Sequence, residues 1–210
     1  MEELISSITI LIDTREKVNS HITDYFDRKG ISYKKKALGY GDYSFMIPAN
    51  EKLSIPRDLY FNTTCVIERK ASLEEISNNL TKERDRFEKE LCLAPKTKVL
   101  LIENASYEDI ATGNYDTKYN RKSFIASIHS FWFKYNIPVM FMPNNQYSGL
   151  FIREYFEHTS LYKQLQEDFS NNTIPRAATI SIVKGIVELT PYGELFIKSC
   201  VTPSYEVTRG

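Results

Sequence analysis

The sequence has few cysteines, no long apolar run and no net charge. Cys65, Cys92 and Cys200 are odd in number and widely spaced, which argues against a disulfide framework and a zinc site and favours a reducing compartment. No stretch approaches the roughly 20 apolar residues of a membrane span, and the N-terminus lacks the basic start and apolar run of a signal peptide. We therefore expect a cytoplasmic protein with no membrane partner.

The charges are balanced, with 27 lysines and arginines against 27 aspartates and glutamates among 210 residues. Global charge therefore neither indicates nor excludes a nucleic-acid partner, and any attraction for phosphates must come from local basic clusters. The length fits one domain with a small appendage. A change of character near residue 170 predicts a main domain over 1–169 and a small C-terminal extension of unknown role over 170–210.

Short β-branched runs alternate with helical patterns along the chain. Strands are predicted at residues 8–12, 65–70, 98–103 and 137–142, with a hairpin formed by 31–38 and 43–47. Helices are predicted at 18–30, 72–91, 124–135 and 146–169, and the paired Asn78 and Asn79 favour a break in the second helix. This alternation implies an α/β sheet with helices on both faces.

Carboxylates stand where several predicted strands end. Asp13, Glu68 and Glu103 each end a strand, and Asp42 lies in the turn before another. Carboxylates gathered at one sheet edge repel one another unless a cation or a lysine compensates them. The pattern indicates a phosphodiesterase site with a hard metal ion, although an isolated Asp followed by Glu-x-Lys is also typical of a solvated strand end.

Each part of the pattern has a chemical use. Alternate residues of a strand point the same way, so Glu68 and Lys70 share a face while Arg69 points elsewhere. Asp42 and Glu68 can bind Mg²⁺ or Mn²⁺ through oxygen and leave coordination positions for water and a phosphate. Lys70 can position or deprotonate the attacking water, whose pKa the metal lowers.

Taken together, the motifs resemble the nuclease domain of the XPF/Hef family of structure-specific endonucleases, over roughly residues 8–169. The matching residues are Asp13-Thr14-Arg15-Glu16, Gly41-Asp42-Tyr43, Glu68-Arg69-Lys70, and Arg86 in a later helix. Where the family has an aspartate separated by three residues from its Glu-Arg-Lys, this chain has Glu74.

The resemblance implies a restriction-endonuclease-like core of the PD-(D/E)xK type, with a central mixed sheet flanked by helices. It implies a metal-dependent DNA endonuclease in which Asp42 and Glu68 bind Mg²⁺ or Mn²⁺ and Lys70 handles the water. The other roles implied are support of the metal site by Asp13 and Glu16, a neighbouring position for Glu74, and phosphate contacts by Arg15, Arg69 and Arg86.

Two further features have two interpretations each. Lys34, Lys35 and Lys36 hold the DNA backbone if they face the active edge, and otherwise form a solvated surface. The aromatic-rich segment 124–135 supplies core packing or a homodimer interface, and related nuclease domains pair.

The resemblance implies flap, fork or junction DNA as substrate, and a role in DNA repair, recombination or replication. Neither a tandem helix-hairpin-helix module nor a helicase segment is evident, so we expect a stand-alone nuclease of a compact microbial or viral genome. The alternatives are a catalytically silent DNA-binding or partner subunit, a sequence-specific restriction-type nuclease, and a counter-defence protein on a nuclease fold.

Overall fold

A mixed sheet of seven strands runs through the described part of the chain, which in the computed structural model comprises residues 7–53 and 55–170, with side chains described as far as residue 159. The strands are β1 (Thr9–Ile12), β2 (Tyr33–Lys35), β3 (Tyr43–Ile47), β4 (Leu59–Tyr60), β5 (Cys65–Lys70), β6 (Thr97–Glu103) and β7 (Val139–Met142). Their order is β2-β1-β3-β5-β6-β7, with β4 paired to β3. Strand β3 is antiparallel to its neighbours β1 and β5, whereas the pairs β1–β2, β5–β6 and β6–β7 are parallel.

Six helices flank the sheet among the described residues. They are α1 (Ser20–Lys29), α2 (Leu73–Leu80), α3 (Arg84–Leu93), α4 (Tyr107–Thr112), α5 (Arg121–Tyr135) and α6 (Ser148–Ser170). Gly30 ends α1 in the left-handed conformation, at φ 65°, as its place in the sequence predicts. The predicted break after Asn78 and Asn79 separates α2 from α3.

Each face of the sheet has its own apolar core. In β6, Val99 and Leu101 join the cluster that contains the buried residues of α1 and α6. Leu100 and Ile102 point the other way and join the cluster formed with α2, α3, α4 and α5. We call the side to which Leu100 and Ile102 point the cleft face. The prediction of a mixed sheet with helices on both faces is confirmed.

The predicted hairpin of residues 31–38 and 43–47 is wrong. Strand β2 pairs in parallel with β1, and β1 lies between β2 and β3. Helix α1 returns the chain to the starting end of the sheet, so β2 can join only in parallel with β1. The connection to β3 then passes the end of β1, where the Lys36 N–H donates to Ile12 O and the Leu38 N–H donates to the Asp13 carboxylate.

The polar stretch 104–120 contains a helix that the hydrophobic pattern did not predict. Ser106 and Asp109 form a complete capping box at the start of α4, and Gly113 ends the helix at φ 83°. Only Ile110 of this helix is buried, so six residues gave too little apolar periodicity to be recognised.

The chain separates into one unit that ends at His158 and another that begins at Thr159. The predicted extension, 170–210, lies outside the described residues except for Ser170, so its boundary stays a prediction. Among the residues that the structure describes, no helix has the length and apolar character needed to cross a membrane.

Candidate active site

Gly41 brings the turn before β3 against β5. Its φ is 68°, and a Cβ at this position would lie 2.8 Å from Val66 Cβ and 3.0 Å from Ile67 O, so only glycine fits. The Asp42 N–H donates to Ile67 O at 2.8 Å. The Asp42 carboxylate accepts in turn from the Arg69 N–H, with 2.8 Å between Oδ2 and N. Two hydrogen bonds therefore fix Asp42 beside β5.

Asp42 and Glu68 line the same cleft on the cleft face. Burial raises the pKa of Asp42 well above its usual range, and the negative charge of Glu68 raises it further. Lys70 and the Arg69 N–H act in the opposite direction without cancelling this effect. The carboxylate charge in the cleft is therefore incompletely compensated by the protein.

Lys70 lies in the same cleft and is 8% exposed. Its Nζ is 2.7 Å from Glu68 Oε1 and 3.7 Å from Glu75 Oε1, and it lies 5.4 Å from the centre of the Phe87 ring. Burial disfavours the ammonium form, but the charge of Glu68 and its hydrogen bond outweigh burial and raise the pKa of Lys70. Lys70 is therefore a cation that can orient water or phosphate oxygen, and it is poorly suited to accept a proton.

Arg69 lies on the other side of β5 and is 6% exposed. Its guanidinium donates to Val18 O at 2.6 Å and lies 3.4 Å from carboxylate oxygens of both Glu16 and Glu103. The structure therefore does not place Arg69 at the predicted phosphate contact. It holds two carboxylates together with β5 and the segment before α1.

Glu16 is one of the carboxylates that Arg69 neutralises. Burial raises the pKa of Glu16, and Arg69 lowers it, while Glu75 and Glu103 add to the rise. Glu16 lies 3.4 Å from the Arg69 guanidinium, and its support of the metal site stays a prediction.

Asp13 is buried and its carboxylate is fully engaged by the protein. It accepts from the Arg15 N–H at 2.8 Å, from Arg15 Nε at 2.7 Å and from the Leu38 N–H at 2.7 Å. Burial opposes the charged form, but the Arg15 and Leu38 hydrogen bonds lower the pKa of Asp13 below its usual value. Asp13 thus orders the connection that leads to Asp42, because its carboxylate forms hydrogen bonds with Arg15 and Leu38. Its support of the metal site stays a prediction.

Two exposed arginines stand at the mouth of the cleft. The side chain of Arg15 is 68% exposed, and that of Arg86, on α3, is 70% exposed. Arg86 is paired with Glu90 at 3.0 Å, a surface contact of the kind that breaks readily in favour of another anion. Both residues line the cleft, and their phosphate contacts stay a prediction.

Glu74 does not reach the site. Its Oε1 accepts from the Asp116 N–H at 2.9 Å, outside the cleft. The next residue, Glu75, is the nearby carboxylate, since Oε2 accepts from the Ala71 N–H at 2.8 Å and Oε1 lies 3.7 Å from Lys70 Nζ. One residue along a helix turns a side chain by about 100°. Ser72 caps α2 by accepting from the Glu75 N–H, which sets Glu75 at the third position of the helix and is a signal that could have selected it.

The three lysines of the β2 segment divide between the two sides of the sheet. Tyr33 packs against the core formed by α1 and α6, so Lys34 and Lys36 point to the cleft face and Lys35 to the opposite one. Lys34 and Lys36 both contact Tyr60, a residue that the sequence did not single out.

The donors at the site suit a hard divalent cation. Among the described residues, no three His, Cys, Asp or Glu side chains gather as a metal-binding group. The cleft offers instead Asp42 and Glu68, and Mg²⁺ is commonly held by one or two carboxylates while keeping several waters or binding substrate phosphate. The raised pKa of Asp42 is a further sign of fit, because a cation would compensate its charge.

Comparison with known proteins places these residues in a family context. The family model of the ERCC4 domain matches residues 12–155, a range that includes every predicted site residue. No curated protein matches the chain.

Two solved structures of XPF from Aeropyrum pernix are similar in fold. The first is 16% identical with a TM-score of 0.52, and the match covers 72% of this chain and 61% of the other. The second, in complex with DNA, is 20% identical with a TM-score of 0.53 and covers 93% of this chain and 98% of the other. The match spans less than two thirds of the first structure. Both similarities confirm the predicted restriction-endonuclease-like fold.

Proposed function

Because the chain belongs to the ERCC4 domain family of XPF-type nucleases, we propose that it is an endonuclease that hydrolyses DNA phosphodiester bonds with Mg²⁺ or Mn²⁺. The observation that carries the proposal is the convergence of Asp42, Glu68 and Lys70 in one open cleft, with Lys70 Nζ 2.7 Å from Glu68. Asp42 and Glu68 would hold the cation. A divalent cation bound there would lower the pKa of a water ligand and stabilise the negative charge that develops on the phosphate.

Lys70 acts as a fixed positive charge in this mechanism. Its raised pKa keeps the ammonium protonated at neutral pH, so it orients the attacking water or a phosphate oxygen by donating hydrogen bonds. Glu68 and Glu75 hold the ammonium in place from two sides. The protein contribution is therefore orientation and charge stabilisation.

Arg15 and Arg86 bind the DNA backbone at the cleft mouth. Guanidinium groups donate paired hydrogen bonds to phosphate oxygens, and these two line the cleft with exposed side chains. Such contacts position the strand without reading its sequence. Membership of the XPF-type family supports flap, fork or junction DNA as the proposed substrate, and a role in repair, recombination or replication.

A homodimer is the proposed assembly. On α5, Trp132 is 40% exposed and Phe133 is 82% exposed, and Met140 on the edge strand β7 is 40% exposed. Large exposed apolar side chains on neighbouring elements are typical of an interface. Sedimentation of the whole chain would test this assembly directly, with a Phe133→Glu variant expected to be monomeric.

Cleavage assays test the activity itself. Labelled flap, fork, four-way-junction and linear duplex DNA would be incubated with Mg²⁺, Mn²⁺ or EDTA and with wild type, Asp42→Asn or Lys70→Ala. We expect metal-dependent cutting of the branched DNA that both variants lose while still binding it. Binding without cutting by wild type in either metal would identify a silent partner subunit, and cutting of linear duplex at fixed sequences would identify a restriction-type nuclease.

A further inference from the structure

One half of the cleft face carries no α-helix of the described residues. Helices α2, α3, α4 and α5 cover the half formed by β6 and β7. On the other half, formed by β2, β1 and β3, the buried apolar residues of this face are Leu11, Leu38 and Met46. We call this half, which no helix of the described residues covers, the open half.

Two lysines and a tyrosine lie on this open half. Lys34 Nζ is 5.1 Å and Lys36 Nζ is 4.8 Å from the centre of the Tyr60 ring. Lys34 Nζ also donates to the Tyr60 hydroxyl at 3.2 Å, and that hydroxyl lies 3.4 Å from Asp58 Oδ2. Tyr60 is 42% exposed. We call these three residues, Lys34, Lys36 and Tyr60, the lysine–tyrosine cluster.

The two ammonium groups have no carboxylate partner among the described residues. Neither lysine forms an ion pair with any residue that the structure describes, whereas Arg15, Arg69, Lys70 and Arg86 each do. Two ammonium groups near one ring repel each other, and contact with the ring offsets part of that repulsion. A chain of phosphates would compensate both positive charges at once. Binding of phosphates by the two lysines would also release counterions, which makes the affinity depend on salt.

The cluster is close to the cleft. The Lys36 N–H donates to Ile12 O, and the Asp13 N–H donates to Asp42 O, so Lys36 lies at the level of Asp42 with β1 between them. Two strand spacings amount to roughly 10 Å. A DNA strand with a rise of about 3.4 Å per nucleotide covers that distance in about three nucleotides.

We propose that Lys34 and Lys36 form a second phosphate-binding subsite for a DNA strand that leaves the cleft across the open half of the sheet, about three nucleotides from the scissile phosphate. Tyr60 is a positioning residue, because it holds the two ammonium groups side by side. The inference rests on the proposed nuclease function and adds to it the length of DNA that the enzyme engages on one side of the cut.

Single substitutions along β2 supply a matched test. Binding of labelled flap DNA would be measured by fluorescence anisotropy in EDTA, over a salt series, for Lys34→Ala, Lys36→Ala and the control Lys35→Ala. We expect Lys34→Ala and Lys36→Ala each to reduce the magnitude of the negative slope of log affinity against log salt by about 1. The double variant should bind on the order of tenfold more weakly. Lys35→Ala, which removes the same charge from the opposite face, should match wild type.

Equal losses for all three lysines would show a diffuse surface effect and overturn the inference. Cutting by wild type with no effect of the lysine variants would reject this subsite alone and leave the nuclease function standing. Wild type that binds DNA through Lys34 and Lys36 but does not cut it would reject only the catalytic proposal. Wild type that binds no DNA would overturn both.

Substrate length and Tyr60 variants locate the subsite. Nucleotides would be removed in steps from either side of the mapped cut, and the affinity difference between wild type and the double lysine variant should vanish once one side is shorter than about three nucleotides. Tyr60→Phe keeps the ring and should keep the salt slope, whereas Tyr60→Leu should lower it, with thermal unfolding as a check on folding. A length-independent difference, or equal slopes for both Tyr60 variants, would contradict the arrangement.

Discussion

Cations on the two strands β5 and β2 are held in opposite ways. Arg69 and Lys70 are buried and surrounded by carboxylates, whereas Lys34 and Lys36 are held by an aromatic ring and have no ion-pair partner among the described residues. A buried ion pair depends on both partners, because a single charge left behind is costly. An unpaired surface cation can be removed with little effect on the fold. Arg69 and Lys70 should therefore govern stability and catalysis, and Lys34 and Lys36 only the affinity for a polyanion.

The largest expected effect on activity is that of Lys70→Ala. Removing one fixed donor that stabilises transition-state charge lowers kcat by about 10²–10³. Because the substitution leaves the proposed backbone contacts of Arg15 and Arg86 in place, KM should change little. Steady-state kinetics on the preferred DNA would separate the two constants. A large change in KM with an unchanged kcat would assign Lys70 to binding and remove the contrast with Lys34 and Lys36.

Arg69→Leu should be the most destabilising change. It leaves Glu16 and Glu103 without their shared cation, and breaking a buried ion pair costs about 3–5 kcal/mol. Urea unfolding would measure the loss, with Arg86→Leu as the control because that arginine is on the surface. Equal stability of the two variants would mean that Arg69 is no more structural than an exposed arginine.

Arg15→Ala and Arg86→Ala should weaken DNA binding by several-fold to tenfold each and lower the salt slope by about 1. Arg15 also donates to Asp13, so the Arg15 variant should show a small loss of thermal stability that the Arg86 variant lacks. Anisotropy titrations and thermal unfolding would be compared for both. A lower kcat at saturating DNA would place these arginines at the reacting phosphate instead of the cleft mouth.

Asp42→Asn should stabilise the metal-free protein in a pH-dependent manner. The pKa of Asp42 is higher in the folded state than its usual 3.8, so ionisation destabilises the folded protein. The advantage of asparagine should be absent below about pH 3.8, grow as the pH rises towards the raised pKa, and stay constant above it. Thermal unfolding in EDTA across this range would detect it. A gain that is largest in acid would contradict the direction of the shift.

The smallest effects concern two neighbouring glutamates. Glu75→Gln removes the second carboxylate from Lys70 and should lower kcat a few-fold, whereas Glu74→Gln should leave kcat unchanged. The two variants have the same charge and adjacent positions, so each is the control for the other. A loss of activity with Glu74→Gln alone would show that Glu74, the residue at the position of the family aspartate, acts at the site and that Glu75 does not.

The site was predictable where it depends on local geometry. Strand alternation places Glu68 and Lys70 on one side and Arg69 on the other, whatever the rest of the fold does. The partners of Arg69 could not be predicted, because Val18 and Glu103 are distant in sequence. The predicted hairpin was wrong for the same reason, since local patterns do not specify that β2 lies beside β1.

Glu74 and Glu75 show a different limit of the sequence. The choice between them depends on the residue at which α2 begins, and one position changes the direction of each side chain by more than a quarter turn. Helix ends are uncertain by one or two residues even when the helix itself is evident. Motif spacing selected Glu74, whereas the cap formed by Ser72 sets Glu75 at the third position of α2.

Gly41 makes the cleft vulnerable to the most conservative of substitutions. An alanine there changes no charge and no predicted ligand, yet its single methyl group meets Val66 and its backbone angle is unfavourable for any side chain. The strain would be relieved by moving the turn away from β5, which would carry Asp42 away from Glu68. Inactivating mutations of this protein therefore need not fall on an acidic or basic residue, and a survey restricted to charged positions would overlook the one that sets the spacing between the two carboxylates.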